Sequence, residues 1–450
     1  MTAWFRRSPD AAQLQANPAR MRRMQWQVFG AITFGYGFYY VCRLSLNVIK
    51  KPLVDAGIFD PAQLGMIGSA LFFTYAAARL LNGVLVDHAN LKRFMAVGLL
   101  VSAFINLLLG SLPAFWVFLL LWGANGWFQA MGAPASIVSI ARWFPIKGRG
   151  TVYGIWSTNH NIGEALTYVV TGAIVTSLGA AWGLRAAGVV GVIAGLLMLL
   201  FLHERPEVQG LPAPAPAPEP QPTAPSVQTS PRSVAALQWA VARNPLIWLL
   251  ALASGCFYVT RYAITSWGVF FLQEAKGYNA LQAAGIISAG ALAGIAGTFF
   301  SGIVSDRLFG GNRHLPALIF GLLYVLATVL FVLSLPSAAG DTAAMVLFGV
   351  AMGAQLAYLG GMMAIDLVDK NAAGTATGIV GVASYLGAAP QDLLSGHFIQ
   401  AGRSMVAGHT HYDFSMAGSL WTGAAVLSWL LTLAVWLWSR RPWPSAVVGM

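Results

Sequence analysis

The sequence predicts an all-α membrane protein, with twelve transmembrane helices in two pseudo-symmetric six-helix bundles. Three observations carry that prediction. The 450 residues are 57% hydrophobic and only 9% charged, with 49 Gly and 16 Trp, whereas a soluble domain carries about 25% charged residues. Apolar runs long enough for a helix to cross a bilayer, about 20 residues each, recur along the whole chain. A Pro/Ala-rich polar stretch then divides those runs into two sets of six.

The first set occupies roughly 25–49, 63–86, 94–112, 114–140, 150–178 and 183–203. The second occupies roughly 244–273, 280–304, 315–336, 342–367, 373–401 and 415–438. Residues 204–243 between them contain LPAPAPAPEPQPTAP, an extended stretch that cannot form a membrane helix and reads as a linker. The expected parts are a 1–24 amino-terminal segment, a 25–203 bundle, the linker, a 244–439 bundle and a 440–450 tail. Six spans, a linker and six spans is the layout of a two-bundle secondary transporter.

The net charge of +11 raises the question of nucleic acid, but the Lys and Arg residues sit mainly in short loops. Eighteen fall on one face, from the amino-terminal arginines through Lys92/Arg93, Arg142/Lys147/Arg149, Arg205/Arg232/Arg243, Arg307/Arg313 and Lys370 to Arg440/Arg441. Only Lys50, Lys51, Arg185, Lys276 and Arg403 fall on the other. That asymmetry places both termini in the cytoplasm and the protein in the inner membrane, with lipid rather than nucleic acid as its surroundings. The two cysteines, Cys42 and Cys256, stand alone in apolar runs and make neither a zinc site nor a disulfide framework. The first apolar run, after Arg20, Arg22 and Arg23, is too long for a cleavable signal.

Three basic residues remain, all inside spans: Arg43 in FYYVCRLSL, Arg79 in TYAAARLLNG and Arg261 in FYVTRYAITSW. A charge at mid-membrane costs about 2.5–3.5 kcal/mol even on the insertion scale, so it is kept where it meets a wet cavity or a partner. Arg43 and Arg261 recur on the first helix of each half, in the similar contexts FYYVCR and CFYVTR. A pseudo-two-fold repeat brings such a pair to the substrate path. Two planar guanidinium forks suit a phosphoryl group, which accepts paired hydrogen bonds. With Tyr39, Tyr40 and Tyr262 beside them they form the candidate binding set, and Arg79 stands between a cavity role and structural pairing.

His160 in STNHNIGEAL, with Glu164 one turn later on the same helix face, is a further candidate substrate contact. Glu164 and Asp392, in AAPQDLLSG, are the intramembrane acids, read as charge balance for the arginines or as proton carriers. Asp87 in VDHANLKRF and Asp306 in SDRLFGGNR, the latter beside Arg307, end the second span of each half and read as a conformational latch. The glycine-spaced SAGALAGIAG lies in lipid without a preceding strand, so it reads as close helix packing rather than a nucleotide loop. His409 and His411 in GHTHYD read as solvated loop histidines, not a metal pair. No nucleophile–base constellation, cofactor motif or soluble catalytic domain is present, so no enzyme is expected.

Taken together, GYGFYYVCR, NGWFQAMGAP, RWFPIKGRG, NHNIG, RYAITSW, SDRLFGGNR and NAAGTATGIVGVASYLG resemble the major facilitator superfamily, specifically its organophosphate:phosphate antiporters. These are the glycerol-3-phosphate and hexose-phosphate transporters and their sensor-like relatives, and the resemblance covers nearly the whole chain outside the linker and ends. It implies the major facilitator fold, alternating access, and exchange of inorganic phosphate for an organophosphate by a single copy of the chain. It matches Arg43 and Arg261 to the family's paired phosphate-binding arginines and His160 to its central histidine, while Arg79 stands where the family often has lysine. The chain also departs from the pattern. Leu44 replaces a lysine after the first arginine, and acids are missing near Ser266 and Ala291. Those charges pair with one another in the family, so losing the set together leaves no orphan. Two other readings stay open: a sugar-phosphate sensor with a partner kinase, and a carrier of another organic anion.

Overall fold

The computed structural model describes residues 5–11, 14–214, 234–368, 372–406 and 408–440. The Pro/Ala run from 215, the tail from 441, and Arg232, Lys370 and Arg441 lie outside the described residues. Among the described residues, the regular structure is helical apart from one hairpin. The first half runs α1 (Pro18–Asp55), α2 (Pro61–His88), α3 (Leu91–Leu109), α4 (Phe115–Gln129), α5 (Gly132–Trp143), α6 (Ile146–Ser157), α7 (Asn159–Leu178) and α8 (Ala180–Phe201). After the short α9 (Val234–Ala242) come α10 (Pro245–Lys276), α11 (Ala280–Ile303), α12 (His314–Leu333), α13 (Ala338–Ala357), α14 (Met363–Asp366), α15 (Ala373–Ala401) and α16 (Ser415–Ser439).

These elements account for twelve spans. The fourth is α4 with α5, the fifth α6 with α7, and the tenth α13 running through a π-turn (Tyr358–Met362) into α14. Among the described residues, seven helices are long and apolar enough to cross a bilayer unaided. The breaks have local causes. Pro134, in the first turn of α5, lacks an N–H and its ring crowds the carbonyl four residues back, so the helix restarts after Ala130 and Met131. Before α7, Ser157 and Thr158 donate their hydroxyls to the carbonyls of Gly154 and Ile155, competing with the helical ladder.

Helix starts are capped as their sequences require. Asn17 accepts from the Arg20 amide at 2.9 Å, and Asp60 and Gln63 form a reciprocal capping box at α2. Two features depart from the sequence reading. Helix α1 continues past residue 49 to Asp55, through Pro52, so Lys50 and Lys51 belong to a helix rather than to a loop. The expected outer loop near 403–412 is an antiparallel hairpin, β1 (Arg403–Val406) with β2 (His409–Tyr412), turned at Gly408 with φ +82°.

The chain forms two compact units. The first holds the described residues up to Pro214 together with Thr265–Ala291 and Asp392–Phe414. In it α3 packs on α8, α2 on α4, and α1 on α7 and α8. Small residues let these backbones approach: a Cβ at Gly126 of α4 would collide with the Leu71 carbonyl and the Thr74 hydroxyl of α2. That same hydroxyl donates to the Gly123 carbonyl at 2.6 Å. The second unit holds the described residues from Val234 to Ile264, Leu292–Gln391 and the residues from Ser415 on. There α12 packs against α13 and α16. Gly297, at the end of SAGALAGIAG, faces the Val350 backbone with no room for a side chain, so that run serves helix packing.

Candidate functional site

On α1 of the first unit, Tyr36, Tyr40 and Arg43 follow one another at about one helical turn. Arg43 is 6% exposed. Its guanidinium carbon lies 4.4 Å from the Tyr40 ring centroid and 5.6 Å from that of Tyr75 on α2. The quadrupole of each ring favours the cation, which offsets part of the cost of holding it inside the bundle. Tyr36 meets Tyr40 edge to face at 5.5 Å, and the His160 ring stands 6.2 Å from Tyr40. His160 opens α7 with its Nδ1 against the Ser157 carbonyl. Glu164 is buried one turn further along.

The second unit repeats the design on α10. Arg261 is 5% exposed, with its guanidinium carbon 5.4 Å from Tyr258 and 5.3 Å from Tyr262. Tyr385 of α15 joins these rings, 5.5 Å from Tyr258 and 6.2 Å from Tyr262. In both units a tyrosine three residues before the arginine carries it, Tyr40 for Arg43 and Tyr258 for Arg261. Preceding residues pack inward in both. Tyr39 donates its hydroxyl to the Met95 carbonyl at 2.6 Å inside the apolar core, and Phe257 lies 5.1 Å from Tyr324. Tyr39 therefore points into the core, while Tyr36, Tyr75, Tyr258 and Tyr385 are rings that the sequence did not single out and that group with the two arginines.

Arg79 is exposed on α2, where it acts electrostatically on the Tyr153 phenol of α6. Asn161, beside His160 in NHNIG, was not singled out by the sequence. It is 1% exposed, and neither polar atom of its side chain has a protein partner among the described residues. A buried amide in that state needs a ligand or water to satisfy it.

The Major Facilitator Superfamily model matches residues 32–390. The membrane sensor protein UhpC of Salmonella typhimurium is 31% identical over 382 residues, covering 82% of this chain and 84% of its own. A probable hexose phosphate transport protein of Chlamydia pneumoniae is 33% identical over 376 residues, covering 80% and 82%. The chain belongs to the major facilitator superfamily, in its organophosphate:phosphate antiporter family. A bacterial homologue of the human lysosomal transporter Spinster has the same fold, with a TM-score of 0.73 at 16% identity over 95% of this chain and 98% of that one.

Leu44, Ser266 and Ala291 are all buried. Six residues after Leu44, Lys50 is fully buried and its Nζ lies 3.2 Å from Asp392 Oδ1. Ser266 binds both, with its hydroxyl 2.7 Å from the lysine nitrogen and 2.7 Å from the same carboxylate oxygen. Trp267 covers the ammonium at 3.6 Å from its ring centroid. A Cβ at Gly68 would overlap the Asp392 carboxylate, so α2 closes the site from another side. Asp392 therefore pairs with Lys50 in this structure. Lys50, counted from sequence among outer-loop charges, is part of a buried ion pair.

The next residue, Lys51, pairs with Asp55 and Glu274, each at 2.9 Å, and Glu274 also faces His411 of the hairpin at 3.4 Å. Next to His411, burial pushes the Tyr412 phenol above its ordinary value. The latch aspartates behave differently from each other. Asp306 is held by Arg313 at 2.6 Å, and Arg313 reaches Asp366 at 3.8 Å, so Arg313 links the ends of α11 and α14. Arg307 is exposed and takes no part in that ion pair. Asp87 offers its backbone carbonyl to Arg7.

Proposed function

We propose that the protein is a secondary active transporter of a phosphorylated small metabolite, of glycerol phosphate, hexose phosphate or phosphoglycerate type, exchanged for inorganic phosphate. The observation that carries this is the repeated device of a buried arginine seated on tyrosine rings, once in each unit. Arg43 and Arg261 supply the guanidiniums for the phosphoryl oxygens, and Tyr40, Tyr262 and His160 with Asn161 supply neutral contacts. Charge is recognised by a fork whose protonation never changes, which suits an anion that must be bound on one side and released on the other. Similarity to hexose phosphate carriers supports the same substrate class. In this reading one copy works alone, multi-pass in the inner membrane with both termini cytoplasmic. Lys50–Asp392 holds the outer end of α1, and Asp306–Arg313–Asp366 holds a cytoplasmic turn.

Counterflow in proteoliposomes loaded with inorganic phosphate tests the proposal. Uptake of radiolabelled phosphate esters is expected, falling at least about tenfold in Arg43→Lys and Arg261→Lys, because lysine keeps the charge but not the two-pronged geometry. Uptake that survives both substitutions sinks the site assignment. One observation favours a second reading, the similarity to the sensor UhpC. Saturable binding of a hexose phosphate without any exchange would select the sensor, which signals to a partner kinase.

A further inference from the structure

A cavity of about 270 Å³ lies in the first unit where the ends of α5, α6 and α8 meet the chain before α1. Its charged lining is Arg7, Arg142, Arg149 and Arg205 with one carboxylate, Glu207. None of these belongs to the arginine–tyrosine sites or to the ion pairs described above.

The cavity is assembled by hydrogen bonds that pin residues 5–11 across the loops. The Asn90 amide donates to the Phe5 carbonyl at 2.8 Å, the Ser8 amide to Glu204 at 3.1 Å, and the Ala11 amide to the Glu207 carbonyl at 3.0 Å. Arg205 donates to the Ser8 carbonyl and pairs with Asp10 at 3.1 Å. Arg149 caps the end of α5, donating to the carbonyls of Ala141 and Phe144 at 2.8 and 2.7 Å. One oxygen of the nearby acid Glu204, Oε2, accepts from the Ser8 amide and the Asn90 side chain.

Four arginines thus meet Glu207, Glu204 and Asp10, which leaves a small excess of positive charge. Nη1 of Arg142 and Nε of Arg205 are buried and have no protein partner among the described residues, and the same holds for one oxygen each of Glu204 and Glu207. Burial is the largest cost to the Arg142 charge, which Arg7 and Arg205 repel while Glu204 and Asp87 attract it. Crowded guanidiniums with spare donors are stabilised by an anion that accepts several hydrogen bonds at once, and a phosphoryl group does so with planar, charge-assisted geometry. The volume falls just under the about 300–1,000 Å³ of pockets for drug-sized ligands, so the occupant is small.

We propose that this cavity is a second anion site, binding a phosphoryl group through Arg142, Arg205, Arg7 and Arg149. Its occupancy fastens residues 5–11 to the α5–α6 turn and to the segment after α8. Free phosphate and the headgroup of an anionic phospholipid share the required chemistry.

The test uses the full-length chain in neutral detergent, carrying Arg43→Ala and Arg261→Ala so that the proposed transport site cannot contribute. Inorganic phosphate is titrated against sodium chloride of equal ionic strength, reading Tm and hydrogen exchange at the Ser8 and Ala11 amides. Saturable protection specific to phosphate is expected, with affinity reduced at least tenfold by Arg142→Gln. Glu207→Gln, which removes the lining carboxylate, is expected to tighten binding severalfold, a gain that a folding defect cannot imitate. In a parallel arm, native mass spectrometry compares retention of phosphatidylglycerol and phosphatidylcholine. Selective retention of phosphatidylglycerol, lost in Arg142→Gln, identifies the headgroup as the source. The proposal is overturned if chloride matches phosphate and neither lipid is preferred. It is equally overturned if binding is unchanged by both Arg142→Gln and Glu207→Gln.

Discussion

Arg43 and Lys50 sit seven residues apart on α1, two turns along one helix face, yet the sequence exposes only the first as unusual. Arg43 is flanked by apolar residues for a full span, so its cost in lipid is evident. Lys50 precedes another lysine and a proline, the usual signature of a helix end. Only the fold carries α1 through Pro52 and buries Lys50 against Asp392, a residue 342 positions away. Sequence reading found the acid and missed its partner because such a pairing has no local trace. The pair makes a sharp prediction. Lys50→Met strands a buried carboxylate and should destabilise the protein by about 3–5 kcal/mol, seen as a large fall in Tm. Lys50→Met with Asp392→Leu removes both charges and should recover most of that loss, since buried pairs are often replaceable by apolar residues. A loss in the double variant equal to the sum of the losses in Lys50→Met and Asp392→Leu alone would mean that the pair is not coupled.

At the scale of elements, the twelve spans were legible because each must be about 20 apolar residues long, a constraint written directly into composition. Breaks inside the spans were not, since Pro134 and the Ser157–Thr158 pair act over one turn within otherwise apolar runs. The hairpin at 403–412 was unreadable for another reason: its four-residue strands are too short to show alternation. Close helix approach was visible as glycine spacing, but not which glycine carries which contact. Gly126→Ala is expected to cost about 1–3 kcal/mol, because the new methyl meets the rigid Leu71 backbone and must push α2 from α4. Gly154→Ala, in the interior of α6 with open space around its Cα, should instead stabilise by about 0.5–1 kcal/mol. Opposite shifts in Tm for the two variants check both assignments, and a neutral Gly126→Ala would contradict the α2–α4 packing.

For the whole molecule, the charge count predicts which face of the membrane each end of a span meets, and one helix makes that prediction testable. α12 has 20 residues, hence a length of about 30 Å, which matches the hydrocarbon thickness of a bilayer. Leu308 before it and Leu335 after it are both strongly exposed, and they must lie on opposite sides. Arg307 and Arg313 flank the first, and no basic residue flanks the second, so the positive-inside rule predicts Leu308 on the cytoplasmic side and the hairpin on the other. Single cysteines placed on a background of Cys42→Ala and Cys256→Ala can decide the matter, since one native thiol is buried and the other half-buried. An impermeant maleimide applied to intact cells should label Leu335→Cys and Thr410→Cys, and reach Leu308→Cys only after the membrane is opened. A reversed pattern would invert the orientation and move the arginine-lined cavity to the outer face. Labelling of Leu308→Cys and Leu335→Cys from the same side would instead remove α12 as a span.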